Sequence, residues 1–138
     1  MPDIQILQID EQTGLVSLGM GRSPKMLSGI ELLAQVVSLG FLKNTGRDVI
    51  DPADGTGLRD AIGQYNFSTG DELKVLVIQR AKALEKDILA KQSAGTIDPT
   101  ERLKKLLVLN VAADTSTGTV LAKVRVVNEA GGTQDILV

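Results

Sequence analysis

SGIELLAQVVSLGFLKNTGRDVIDPADGTGL, residues 28–58, holds in one run an apolar helix, a long loop of turn residues and a second helix start. Ser28 and Glu31 stand at capping-box spacing, which predicts a helix opening at Ser28. Ile30, Leu33, Val36, Val37 and Phe41 then fall on one face at helical spacing, and Leu32, Leu39 and Leu42 widen it. That width predicts a deeply buried helix, ended by Asn44 to Gly46. Residues 47–57 follow as a Gly-, Asp- and Pro-rich loop, where specific backbone geometry concentrates. No catalytic set is legible in it.

C-terminal to this stretch, Leu58 to Gly63 reads as one or two helical turns. The longest helix is expected over Gly70 to Gln92, with Thr69 and Glu72 again at capping-box spacing. Leu73, Val77, Leu84 and Ile88 form its stripe, with Leu76, Ala81 and Ala83 beside it. Lys74, Lys82, Glu85 and Lys86 lie mostly on a wet face. Asp98-Pro99-Thr100-Glu101 is a further start signal, sufficient for about one turn. From Leu106 the period becomes two: LLVLNVAAD, a turn at Thr115–Gly118, then TVLAKVRVVN, in which Val120, Ala122, Val124 and Val126 alternate with Lys123 and Arg125. Such alternation predicts a sheet with one buried and one wet face. After a turn at Glu129–Gly132, TQDILV closes as a last strand.

N-terminal to the opening helix, Ile4, Ile6 and Ile9 interleave with polar residues. DEQTG turns the chain, and Leu15, Val16 and Leu18 return as the second arm of a hairpin, with Gly14 supplying a positive φ. Residues 19–27 read as a Gly- and Pro-punctuated connector. The whole reads as one α+β domain over residues 1–138: two main helices on a small antiparallel sheet, with an N-terminal hairpin and a C-terminal β-meander.

The 138 residues include no Cys and no His, and carry a net charge of −2. Disulfides, thiolate zinc sites, thiol nucleophiles, Ser-His-Asp triads and His-based metal sites are thereby excluded. Aromatics are 2 % of the chain, so the core must be aliphatic and no base-stacking surface is expected. Interspersed charge argues against a phosphate-binding footprint. No apolar run reaches membrane-spanning length, and MPDIQILQID has no secretory pattern. A cytosolic product is expected, including a viral one made in a host cytosol.

Asp48, Asp51 and Asp54 before Gly55 invite a calcium reading. Their spacing is three rather than two, and no bidentate Glu ends the loop. Turn capping by Asp, with Gly55 and Gly57 permitting tight turns, explains them better. With Glu31 they are also the carboxylates available to a glycosidase, but nothing fixes a separation between them and no aromatic sugar platform accompanies them. DGTGLRDAIG does not follow a strand, so it is no dinucleotide fingerprint. Arg22, Lys25, Arg47 and Arg59 lie near the loop in sequence and could pair with its aspartates or with a neighbouring chain. Physical chemistry alone therefore leads to an α+β domain with no readable active site.

The order of short motifs adds a resemblance. Gly14-Leu15 in the hairpin comes first, then Leu27-Ser28-Gly29, Leu32-Leu33-Ala34-Gln35, Gly46-Arg47 and Asp51-Pro52 with Gly55-Thr56-Gly57-Leu58. A long helix with Gln79-Arg80, the Asp98-Pro99 and Arg102-Leu103 start and a terminal meander complete it. This order resembles the baseplate wedge or sheath-initiator proteins of contractile-tailed phages and related injection machines, a family with one small T4 member once taken for a lysozyme. The motifs span nearly the whole chain, though each is short, and Arg47-Asp48-Val49 departs from the aromatic and acidic pair the family often carries there.

The resemblance implies a non-enzymatic structural subunit without cofactor, metal or catalytic residues. It implies several copies in a ring of six-fold type at the virion's tail baseplate, contacting other wedge and hub proteins. Sheath subunits would dock by strand addition, with no nucleic acid and no membrane as partner. The alternatives are a tail-collar protein bridging tube and sheath, or a carboxylate-dependent cell-wall glycosidase. The apolar chain end Ile136-Leu137-Val138 is expected to be covered at least in part by a neighbour's strand. Gln134→Pro or Ile136→Pro is then expected to leave the isolated subunit folded.

Overall fold

The computed structural model describes residues 3–4, 7–9, 12–13, 16–18, 26–43, 70–114 and 119–138. Two helices lie on one face of a three-stranded antiparallel meander, an α+β arrangement. In chain order the elements are β1 (Asp3–Ile4), β2 (Leu7–Ile9), β3 (Val16–Leu18), β4 (Met26–Leu27), α1 (Gly29–Leu42), α2 (Gly70–Gln92), β5 (Leu103–Asp114), β6 (Thr119–Asn128) and β7 (Thr133–Leu137).

β2 and β3 form the expected hairpin, pairing Leu7 with Leu18 and Ile9 with Val16. The expected connector over 19–27 ends differently: Met26 and Leu27 pair with Ile4 and Asp3 as a second short ladder. Gly14 lies outside the described residues.

α1 opens in a way the capping-box spacing does not anticipate. Ser28 is extended at φ −148 and makes no side-chain cap. Gly29 takes φ +61, a conformation open to glycine at little cost. Its N–H donates to Glu101 Oε1 at 3.2 Å, an acceptor 72 residues away, so a tertiary carboxylate replaces the local cap. The buried face of α1 is Leu33, Ala34, Gln35, Val37, Ser38, Gly40 and Phe41. Val36 and Leu42, expected on that face, are 42 % and 45 % exposed. The face centres on small residues, Ala34 and Ser38, which let the helix approach the sheet closely. Ser38 satisfies its hydroxyl by donating to the Ala34 carbonyl at 2.8 Å.

α2 has the expected bounds, and Leu73, Val77, Ala81, Leu84 and Ile88 are all buried along it. Ala83, expected beside the stripe, is exposed. Thr69 and the segment 44–68 lie outside the described residues. At the α1–α2 contact, a Cβ on Gly40 would stand 2.5 Å from Leu84 Cδ1, so any larger residue there would force the Leu84 side chain to shift.

After α2, Asp98 accepts from the Thr100 hydroxyl at 2.7 Å and the Thr100 N–H at 2.9 Å. These bonds, the hydroxyl's first, hold the Asp98 carboxyl below its ordinary range. The turn is completed by Glu101 and Arg102 N–H groups donating to the Asp98 carbonyl.

β5 begins at Leu103, three residues before the periodicity suggested. Its ladder with β6 slips between Leu103 and Lys105 and between Val108 and Asn110, leaving Lys104 and Leu109 as bulge residues. Those slips hide the alternation that a regular strand would show. β6 is the central strand of order β5-β6-β7. Its Ala122, Val124 and Val126 meet Leu33, Val37 and Phe41 of α1 and Val77, Leu84 and Ile88 of α2 in one aliphatic core.

β7 belongs to that core. Ile136 has 0 % exposure and pairs with Val124, and Val138 exchanges both backbone bonds with Ala122 at 2.7 and 2.9 Å. The expectation that Ile136→Pro or Gln134→Pro spares the fold is therefore corrected. The even-numbered residues of β7 turn their N–H groups toward β6, so proline at 134 or 136 removes a ladder bond.

Candidate functional site

The alternation of an antiparallel ladder fixes which backbone groups of β7 are available. Ala122 and Val138 form a hydrogen-bonded pair, and the Asn128 N–H donates to Gly132 O at 3.0 Å. Positions 134 and 136 must then face β6 as well. The N–H and C=O groups of Thr133, Asp135 and Leu137 point to the other side, where they have no backbone partner among the described residues.

The opposite edge of the sheet is treated differently. Leu106 N–H donates to Glu85 Oε2 at 2.7 Å, and Leu103 N–H donates to Gln92 Oε1 at 2.8 Å. The Gln92 amide also donates to Glu101 O at 3.1 Å. α2 thus lies along the start of β5 and occupies the outward N–H groups of Leu103 and Leu106 with side chains, a device that blunts an edge strand there.

A groove of about 450 Å³ runs beside the open edge. β7 supplies Thr133, Gln134 and Asp135; the start of α1 supplies Ile30 and Glu31; Ile9, Gln12 and Thr13 of the hairpin region form the far wall. Lys123 and Arg125 reach it from β6. The β6–β7 register sets Arg125 opposite Asp135, and the guanidinium grips the carboxylate through Nε at 2.7 Å and Nη2 at 3.1 Å. Lys123 Nζ stands 3.7 Å from the same carboxylate. The Arg125 hydrogen bonds lower the Asp135 pKa against a smaller opposing effect of burial, and Asp135 in turn raises that of Arg125. Lys123 and Arg125 are balanced by Asp135 on the sheet and Glu31 on α1, so the groove carries mixed charge.

Such a groove offers backbone hydrogen bonds, mixed charge and two isoleucines. It is suited to holding an extended segment, the mode in which a strand adds to a sheet edge. Of the carboxylates considered from sequence, Glu31 lines the groove, while Asp48, Asp51 and Asp54 lie outside the described residues, as do Arg22, Lys25, Arg47 and Arg59. Among the described residues no group of three or more potential ligands could hold a metal ion, and no helix is long and apolar enough to cross a membrane. Glu85 and Gln92 escaped the sequence reading because their spacing marks only a polar helix flank. Asp135 and Arg125 escaped it because only the register pairs them.

In class, this is a two-layer α+β domain whose sheet has one edge capped in part by a helix and the other open. Comparison of the chain with family models, curated proteins and solved structures gives no match.

Proposed function

We propose that this chain is a structural subunit of a contractile phage tail baseplate, joining the hub and tube region to the wedges and starting sheath assembly. The reading rests on the resemblance in motif order, and the observation that supports it is the open β7 edge. A sheath strand would pair with Thr133, Asp135 and Leu137 and lie in the groove against Ile9 and Ile30. The subunit acts by binding and performs no chemistry. Its place would be the virion's baseplate, in several copies around the tube.

The test follows from the direction of the backbone groups. Thr133→Pro removes an outward N–H at the first residue of an edge strand, where proline is tolerated. A phage lacking this protein, complemented with Thr133→Pro, should assemble baseplates with tubes but without ordered sheath, while the purified variant keeps its circular dichroism. Normal contractile tails from a folded Thr133→Pro protein would remove the edge-docking reading. Peptidoglycan cleavage by the purified wild-type chain would remove the non-enzymatic one.

A further inference from the structure

The ladder that joins β7 to β6 also sets the chemistry of a strand added on the free side of β7. Ala122 and Val138 exchange both backbone bonds, and Asn128 donates to Gly132. The pairs between them, Val124 with Ile136 and Val126 with Gln134, are therefore hydrogen-bonded as well. That leaves the N–H and C=O groups of Thr133, Asp135 and Leu137 directed outward. Side chains alternate across the sheet with the same period. Ile136 is buried on the helix side, so Gln134 and Val138 share that side and Thr133, Asp135 and Leu137 lie on the other. The residues of β7 that offer backbone groups are thus the ones whose side chains point away from the helices.

An added strand inherits this coupling, and its direction decides the form. In an antiparallel partner, the residue opposite Asp135 exchanges both bonds with it and places its own side chain on the same side, away from the helices. Its two neighbours lie opposite Gln134 and Ile136, with N–H groups turned away from β7 and side chains on the helix side. In a parallel partner the relation is reversed: the residues that bond Asp135 are those whose side chains face the helices. Antiparallel pairing is the stronger per residue and is the pairing throughout this sheet.

The two sides of the groove differ in chemistry. Ile30 at the start of α1 and Ile9 of β2 line it and also pack against the core, so the helix side is apolar. The other side carries Lys123, Arg125 and Asp135, and Glu31 of α1 adds a second carboxylate to the lining. Arg125 grips Asp135 through two hydrogen bonds, and Lys123 stands 3.7 Å from it. Two cations against two carboxylates leave no net charge for an acidic or a basic partner to answer.

We infer that the β7 edge takes an antiparallel protein strand in which apolar residues alternate with uncharged polar ones, and that the polar residues are those whose N–H groups bond β7. The apolar residues then lie opposite Gln134 and Ile136, against Ile30 and Ile9, and remove apolar surface from water. A slip of one residue would carry every apolar side chain to the wet side beside Asp135, so the alternation fixes the register. The inference rests on the edge-docking reading and adds to it the direction and side-chain pattern of the strand.

The experiment uses the full chain and capped peptides of about nine residues that alternate valine with threonine or glutamine. The amide resonances of Thr133, Asp135 and Leu137 should shift, and those of β5 should not. One peptide set is N-methylated at the polar residues and another at the valines, which deletes backbone donors on one side of the strand at a time. Methylation at the polar residues should weaken binding by about tenfold or more, since the bonds to β7 are lost. Methylation at the valines should change it by less than about threefold, and salt between ~50 and ~300 mM by less than about twofold. Ile9→Thr, which shortens the apolar wall, should weaken the unmodified peptide by about threefold. Loss on methylation of the valines alone marks a parallel strand and overturns the inference. Equal loss in both sets, or affinity that falls steeply with salt, overturns it too, and in each of these cases the shifts at β7 leave edge docking standing. No binding by any peptide, or shifts that spare β7, overturns edge docking itself and the inference with it.

Discussion

Asn128→Ala tests the node that ties the C-terminal turn to the rest of the fold. Asn128 is 2 % exposed at the end of β6. Its Nδ2 donates to Thr100 O at 2.8 Å, and its Oδ1 accepts from the Gly132 N–H at 2.6 Å. One side chain therefore joins the 98–102 turn to the β6–β7 turn. Two backbone bonds reinforce the junction, from Glu129 N–H to Arg102 O at 3.0 Å and from Ala130 N–H to Pro99 O at 3.3 Å. Alanine deletes both side-chain bonds and strands a partly buried acceptor and donor. At about 1 kcal/mol per bond, more where the partner stays unsatisfied, the loss is about 2–4 kcal/mol. A domain of this size should then melt lower by on the order of 10 °C. Chemical denaturation with an unchanged m-value is the assay. The geometry supplies an internal control. A Cβ on Gly132 would stand 2.9 Å from Asn128 Nδ2 and 3.1 Å from Oδ1. Gly132→Ala should be destabilising in the wild type and nearly neutral beside Asn128→Ala, a coupling of about 1 kcal/mol. A loss below ~0.5 kcal/mol for Asn128→Ala, the range of ordinary surface changes, would refute the reasoning.

Glu85→Ala should strand the Leu106 N–H and cost about 1–2 kcal/mol; a hydrogen-exchange experiment should find Leu106 losing protection before its β5 neighbours, and unchanged protection would contradict the capping role. For Asp135, the folded pKa lies below the unfolded value of about 3.9, so its contribution is full above that value and lost as pH falls through the folded one. Asp135→Asn should accordingly flatten the acid limb of the stability curve while changing little of its slope between pH ~6 and ~8, and acid unfolding scans that superimpose with wild type would argue against it.

The helices were legible because their apolar spacing is long and regular: Leu73, Val77, Leu84 and Ile88 place α2 without ambiguity. β6 was legible for the same reason at period two. β5 was only half legible, since the bulges at Lys104 and Leu109 shift the alternation and Arg102 to Lys105 reads as polar. The start of α1 misled because Ser28 and Glu31 satisfy a local rule, while the acceptor that serves Gly29 comes from Glu101. The role of the chain end misled in the same way. An apolar terminus looks unpartnered until the register places Ile136 against Val124. An edge for strand addition at the terminal meander was anticipated, but the groove and the outward groups of Thr133, Asp135 and Leu137 were not, because they depend on which face of β7 the pairing consumes.

The capping of Leu103 and Leu106 by Gln92 and Glu85 makes the two edges of the sheet unequal. A sheet open on both sides can propagate, each added strand presenting a fresh template, and such growth ends in fibres. In the proposed docking a strand would add at β7, while at the other edge α2 blocks a ladder where it covers Leu103 and Leu106.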